Sequence, residues 1–215
     1  MTRITLLRST LLAAALGMMG SIAQAEPCSN SDVTYSVNGP LLGPFVNATD
    51  CDGSTAGNIN QGDAGIVNAI WPTGFVYGDA TDESSGTALL LGGNFTFSLT
   101  TSGFGTTGTY TLSATDDNGP AIPNFPFSLD FVVGVKAGND YSLYLFDDVV
   151  FDGSGGGDWA VTFTNTGGNI PDLSHLIAFV REGEGPIPPT EIPEPAGLAL
   201  LGLSLAGLGW SRRRK

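Results

Sequence analysis

Residues 94–100 read Asn-Phe-Thr-Phe-Ser-Leu-Thr, so Phe95, Phe97 and Leu99 fall on one side of an extended chain and Thr96, Ser98 and Thr100 on the other. A period of two marks a strand with one buried face. Short β-prone runs recur at 33–37, 74–77, 87–91, 94–100, 109–114, 127–135, 141–146, 159–165 and 173–180. Gly, Asn and Asp separate them, as turns require. One hairpin is legible outright: in Gly134–Phe146 (GVKAGNDYSLYLF) a turn over Ala137–Asp140 joins two strands. No stretch of 10 residues or more between the termini has a helical period, and no fixed-period repeat is present. Closely spaced strands without intervening helices predict an all-β fold, an antiparallel β-sandwich or jelly roll.

The two ends follow another pattern. Arg3 and Arg8 precede an apolar stretch from Leu11 to Met19, and Ala23-Gln24-Ala25 follows. This is the three-part layout of a secretory signal peptide, predicted over 1–25 with cleavage between Ala25 and Glu26 by a signal peptidase. At the other end, Ala196–Trp210 is 15 residues without a charge. As a helix it spans about 22 Å at ~1.5 Å per residue, against a hydrocarbon core of about 30 Å. It predicts a short, weakly held transmembrane helix. Arg212, Arg213, Arg214 and Lys215 keep its end in the cytoplasm. A Pro/Glu-rich stretch over 182–192 reads as an extended linker. The folded ectodomain is left as 26–181, on the far side of the inner membrane.

Charge narrows the function. All 21 acidic residues lie between Glu26 and Glu194, and six of the eight basic residues sit at the ends. Between Glu26 and Pro189 there are 19 acids against Lys136 and Arg181, a net 2 − 19 = −17. A nucleic-acid partner is excluded for want of clustered cations. The apolar runs exclude a disordered acidic tail.

The closing sequence IPEPAGLALLGLSLAGLGWSRRRK, residues 192–215, resembles the PEP-CTERM sorting signal of exported proteins from Gram-negative bacteria that make extracellular polysaccharide. The resemblance rests on Pro193, Glu194 and Pro195, then the Gly/Ala/Leu-rich helix, then Arg212 to Arg214, over the segment 193–215. It implies recognition and removal of the tail by exosortase, a membrane-embedded cysteine protease. It also implies a mature protein at the cell surface or in the extracellular matrix, with polysaccharide or biofilm as its surroundings. More weakly, the order VVGVKAGNDYSLYLF, GDWAVTF, DLSHLIAFVR is similar to the second half of many exported domains that carry this signal. That likeness supports a β-sandwich and brings no activity with it.

Candidate chemistry is sparse. Cys28 and Cys51 are the only cysteines, and an exported setting predicts a disulfide between them. His175, the only histidine, lies mid-strand on the predicted face of Leu173, Ile177 and Phe179. No G-x-S-x-G elbow accompanies it, which favours a packing role. Asp116-Asp117 and Asp147-Asp148 read as turn and strand-end acids in water. The acidic glycine stretches holding Asp50 and Asp52, and Asp152 and Asp158, could offer oxygen ligands to Ca²⁺. Neither fits the EF-hand spacing, so turns are the favoured reading, with calcium the one candidate cofactor. The expectation is a non-enzymatic surface protein. The alternatives are a carbohydrate-binding module, with or without calcium, and a glycan hydrolase.

Overall fold

The structure, a computed structural model, describes residues 28–118, 125–165 and 167–185. The signal peptide, its cleavage site, the last part of the linker and the sorting signal lie outside them. Strand dominates the described chain and every pairing is antiparallel. The fold is all-β.

Two sheets face each other. The larger holds β3 (Asp50–Ala56), β9 (Asp140–Phe151), β8 (Phe127–Ala137), β11 (Leu173–Glu182) and β4 (Val76–Ala80), in that order. The smaller holds β10 (Ser154–Ala160), β7 (Thr107–Asp116), β6 (Gly93–Thr101) and β5 (Thr87–Leu90). A short pair, β1 (Thr34–Tyr35) with β2 (Val46–Asn47), extends the smaller sheet through bridges Val33–Trp159 and Ser36–Gly156. Phe95, Phe97 and Leu99 of β6 meet Leu129, Phe131, Val133 and Val135 of β8 in the shared core. The alternation in β6 therefore does in three dimensions what its pattern requires: the apolar set faces the opposing sheet.

β8 is buried along its whole length. Its other face contributes Val132 to a second core with Leu143, Leu145, Ile177 and Phe179. Ile59, Val67, Trp71 and Phe75 cover that core from a segment that includes a 3₁₀ turn and helix α1 (Ala64–Ile70). This helix was not foreseen. At seven residues with only Val67 buried, it is too short to print a period in the sequence.

Other expectations shift. The hairpin turn stands, with Ala137 paired to Asp140 and Gly138 at φ +54°. The strand expected at 159–165 instead runs over Ser154–Ala160, and the glycine stretch expected as a turn is its body. A Cβ on Gly156 would collide with the Tyr110 carbonyl, and one on Gly157 with the Thr34 carbonyl. Glycine is there for close approach of neighbouring backbones, which composition alone reads as a turn. The segment around Asp50 and Asp52 is likewise strand rather than loop. Its register shifts between Asp52 and Thr55.

Candidate functional site

Sequence alone placed Asp147 and Asp148 at a strand end in water. They are exposed, as expected, but sit inside β9 at a bulge rather than at its end. Phe131 pairs with Phe146 and Leu129 with Val149, so Asp130 alone stands opposite both aspartates. The extra residue bends β9 and puts Asp148 at φ +50°, a conformation that aspartate tolerates better than most residues.

Asp130 is 1% exposed, and its charge is matched locally. Arg181 Nε donates to Oδ2 at 2.7 Å and Nη2 lies 2.6 Å from the same oxygen. The Asp148 amide donates to Oδ1 at 2.7 Å. Arg181 also donates through Nη1 to the Pro72 carbonyl at 2.7 Å and stacks over the Phe75 ring at 4.5 Å. One guanidinium thus ties β11, β8 and the segment after α1 together. Asp147 lies 3.7 Å from Arg181 Nη2. Loss of hydration, then the charges of Asp130 and Asp148, hold the Asp147 carboxyl above the ordinary carboxylate range.

The bulge borders two concavities. A cavity of about 390 Å³ lies between it and the β1–β2 pair, lined among others by Tyr35, Pro44, Asn47, Thr49, Asp147 and Val150. That volume suits a small ligand. β3 no longer shields β9 here. Thr49 Oγ1 accepts from the Asp147 amide at 3.2 Å, and the Tyr35 hydroxyl donates to the Val150 carbonyl at 3.3 Å. On the other side, a second concavity is lined by Leu91, Ser128 and Glu182–Gly185. The last described residues, Gly183 to Gly185, lie there. Glu182 Oε2 accepts from the Leu91 amide at 3.1 Å, the Gly183 amide donates to the Ser128 carbonyl at 3.1 Å, and the Gly185 amide donates to Asp148 Oδ1.

The remaining candidates are scattered. Cys28 and Cys51 form a disulfide with Cα atoms 6.2 Å apart. Asp50 accepts from Trp71 Nε1 at 2.9 Å and belongs, with Asp52, to β3 of the larger sheet. Asp158 lies in β10 of the smaller sheet, and Asp152 in the turn before it. Among the described residues, no group of three His, Cys, Asp or Glu side chains could hold a metal ion. His175 Nε2 lies 2.9 Å from the Ile59 carbonyl and Nδ1 lies 3.2 Å from Asp82 Oδ2. Its expected face needs correction: β11 shifts register between Leu173 and His175. Leu173 therefore joins the core between the sheets, while Ile177 and Phe179 join the other.

Pro193, Glu194, Pro195 and Arg212 to Arg214 lie outside the described residues, as do Ala25 and Glu26. Among the described residues no helix is long and apolar enough to cross a membrane. No curated protein and no solved structure matches the chain. Residues 191–214 match the family model of the PEP-CTERM protein-sorting motif. The chain thus carries the C-terminal sorting signal of exosortase substrates, and is an exported protein with a membrane-anchoring C-terminal region before processing.

Proposed function

We propose that the protein is a non-enzymatic component of the cell surface or extracellular matrix, with the β-domain as cargo and both termini removed during delivery. The sorting motif over 191–214 carries this reading. Two features of the domain support the absence of catalysis. Asp130, the most buried of the clustered acids, is committed to Arg181 and the Asp148 amide. Both ring nitrogens of His175 already face oxygen acceptors. The intact mass of the protein from its own host is the test. A mature chain that starts at Glu26 and lacks Arg212–Lys215 is expected; a chain running from Met1 to Lys215 overturns the reading.

The cavity beside the bulge supports a second reading, a carbohydrate-binding module. Its amide and carboxyl groups, Asn47 and Asp147, are of the donor and acceptor types that sugar hydroxyls pair with. The net charge of −17 directs it to neutral or amine-bearing glycans. Affinity electrophoresis in gels of such polymers, with and without chelator, separates the readings and tests calcium assistance together. Unretarded migration in every gel removes the second one.

A further inference from the structure

The chain does not simply trail out of its last strand. At the end of β11 and just past it, Glu182, Gly183 and Gly185 are each held by a different partner: Leu91 after β5, Ser128 in β8 and Asp148 in β9. The two glycines make this possible. A Cβ on Gly183 would stand 2.5 Å from Ser128 Oγ and 2.9 Å from Asp148 Oδ1, and one on Gly185 would stand 3.0 Å from both. The strand end thus lies close against Ser128 and Asp148, and a side chain at either glycine would have to displace their terminal oxygens. Asp148 is presented to that strand end by the bulge, at a backbone angle of φ +50°, with Ser128 Oγ donating to the same carboxylate at 3.2 Å.

The clamp sets a length. From Gly185 to Pro193 there are 193 − 185 = 8 residue steps, with prolines at 186, 188 and 189. Such a segment reaches about 25 Å at ~3.1 Å per residue. Even fully extended, those eight steps keep Pro193 within about 29 Å of a fixed point on the folded domain. A protease that handles this tail at the membrane has to fit into that gap.

We propose that Asp148 is a positioning residue for tail processing: its carboxylate clamps Gly185, and the clamp fixes the span between the domain and the sorting signal. The proposal rests on the reading of the chain as a processed exosortase substrate. Freeing Glu184 and Gly185 lengthens the free span by about 6–7 Å, on the order of two residues.

The experiment is a deletion series within residues 186–190 of the full-length chain, expressed in its own host, with tail loss read by mass. It is run in three backgrounds. Asp148→Gly removes the carboxylate and accepts the positive φ. Asp148→Asn keeps an acceptor and tolerates the same backbone. The natural chain is the third. Intact Cys28–Cys51 linkage and protease resistance report folding, and only variants that pass are scored. The natural linker is processed in all three backgrounds. As the linker shortens, processing stops, and Asp148→Gly withstands about two more deleted residues than either Asp148 or Asp148→Asn. One shared threshold, or no threshold, in chains that are processed at natural length overturns the clamp and leaves the processing reading standing. Retention of the tail at natural length overturns both.

Discussion

At the scale of single residues, Asp79 and Arg181 show how few polar groups hold the sheets in place. Asp79 of β4 is buried, and its Oδ2 accepts from the Leu99 amide of β6 at 2.6 Å. It takes over where β5 stops pairing: Phe97 still donates to Gly86, and the next inward-facing amide has only this carboxylate. Burial pushes its carboxyl above the ordinary range, as it does for Asp52 and Asp147. A carboxyl raised by folding binds its proton more tightly in the native state, so stability present below the ordinary value of 3.8 is lost as pH rises through the raised ones. Asp79→Asn should therefore gain on the natural protein as pH rises from below 3.8 towards neutrality, in urea unfolding at a series of pH values. A constant difference would remove Asp79 from the account. Arg181→Gln should cost about 3–5 kcal/mol, because it strands the buried Asp130 charge. Arg181→Lys should recover only part of this, since an ammonium cannot reproduce the forked contact.

At the scale of elements, what the sequence shows depends on whether side chains or backbone contacts shape the strand. The alternation of β6 and the hairpin of β8 and β9 were legible because apolar side chains and a turn declare them. β10 was not, because Gly155, Gly156 and Gly157 are chosen for what they lack. Gly156→Val should disrupt β10 and lower stability by several kcal/mol, since its side chain meets the Tyr110 backbone rather than a yielding side chain. Thermal unfolding of the variant checks this. The candidate site was hidden for a related reason. Asp147 and Asp148 look like any acidic pair until the bulge opposite Asp130 is known, and a bulge leaves no signature in hydropathy. The sorting motif was legible through its resemblance to a known family, carried by Pro193, Glu194, Pro195 and the arginine cluster, and the family model matches it over 191–214. The disulfide was legible from the cysteine pair and the export signal alone. Replacing Cys28 and Cys51 with serine should cost about 3 kcal/mol, the chain entropy of a loop this long, measured as a loss in urea unfolding free energy.

At the scale of the whole molecule, the charge asymmetry dominates. A domain carrying −17 between Glu26 and Pro189 repels itself, and screening relieves that repulsion. Its melting temperature should rise with sodium chloride from low ionic strength to physiological levels, a trend that calorimetry at fixed pH reads directly. A falling melting temperature would mean that attractive ion pairs such as Arg181 with Asp130 outweigh the net repulsion.

The order of strands in the larger sheet has one more outcome. β11 lies inside the sheet, between β8 and the edge strand β4, yet it is the last strand of the described chain. Until Leu173–Glu182 is in place, β4 has no strand of the larger sheet to pair with. Completion of this sheet therefore waits for its last strand in the chain, since β4 joins the others only through Leu173–Glu182.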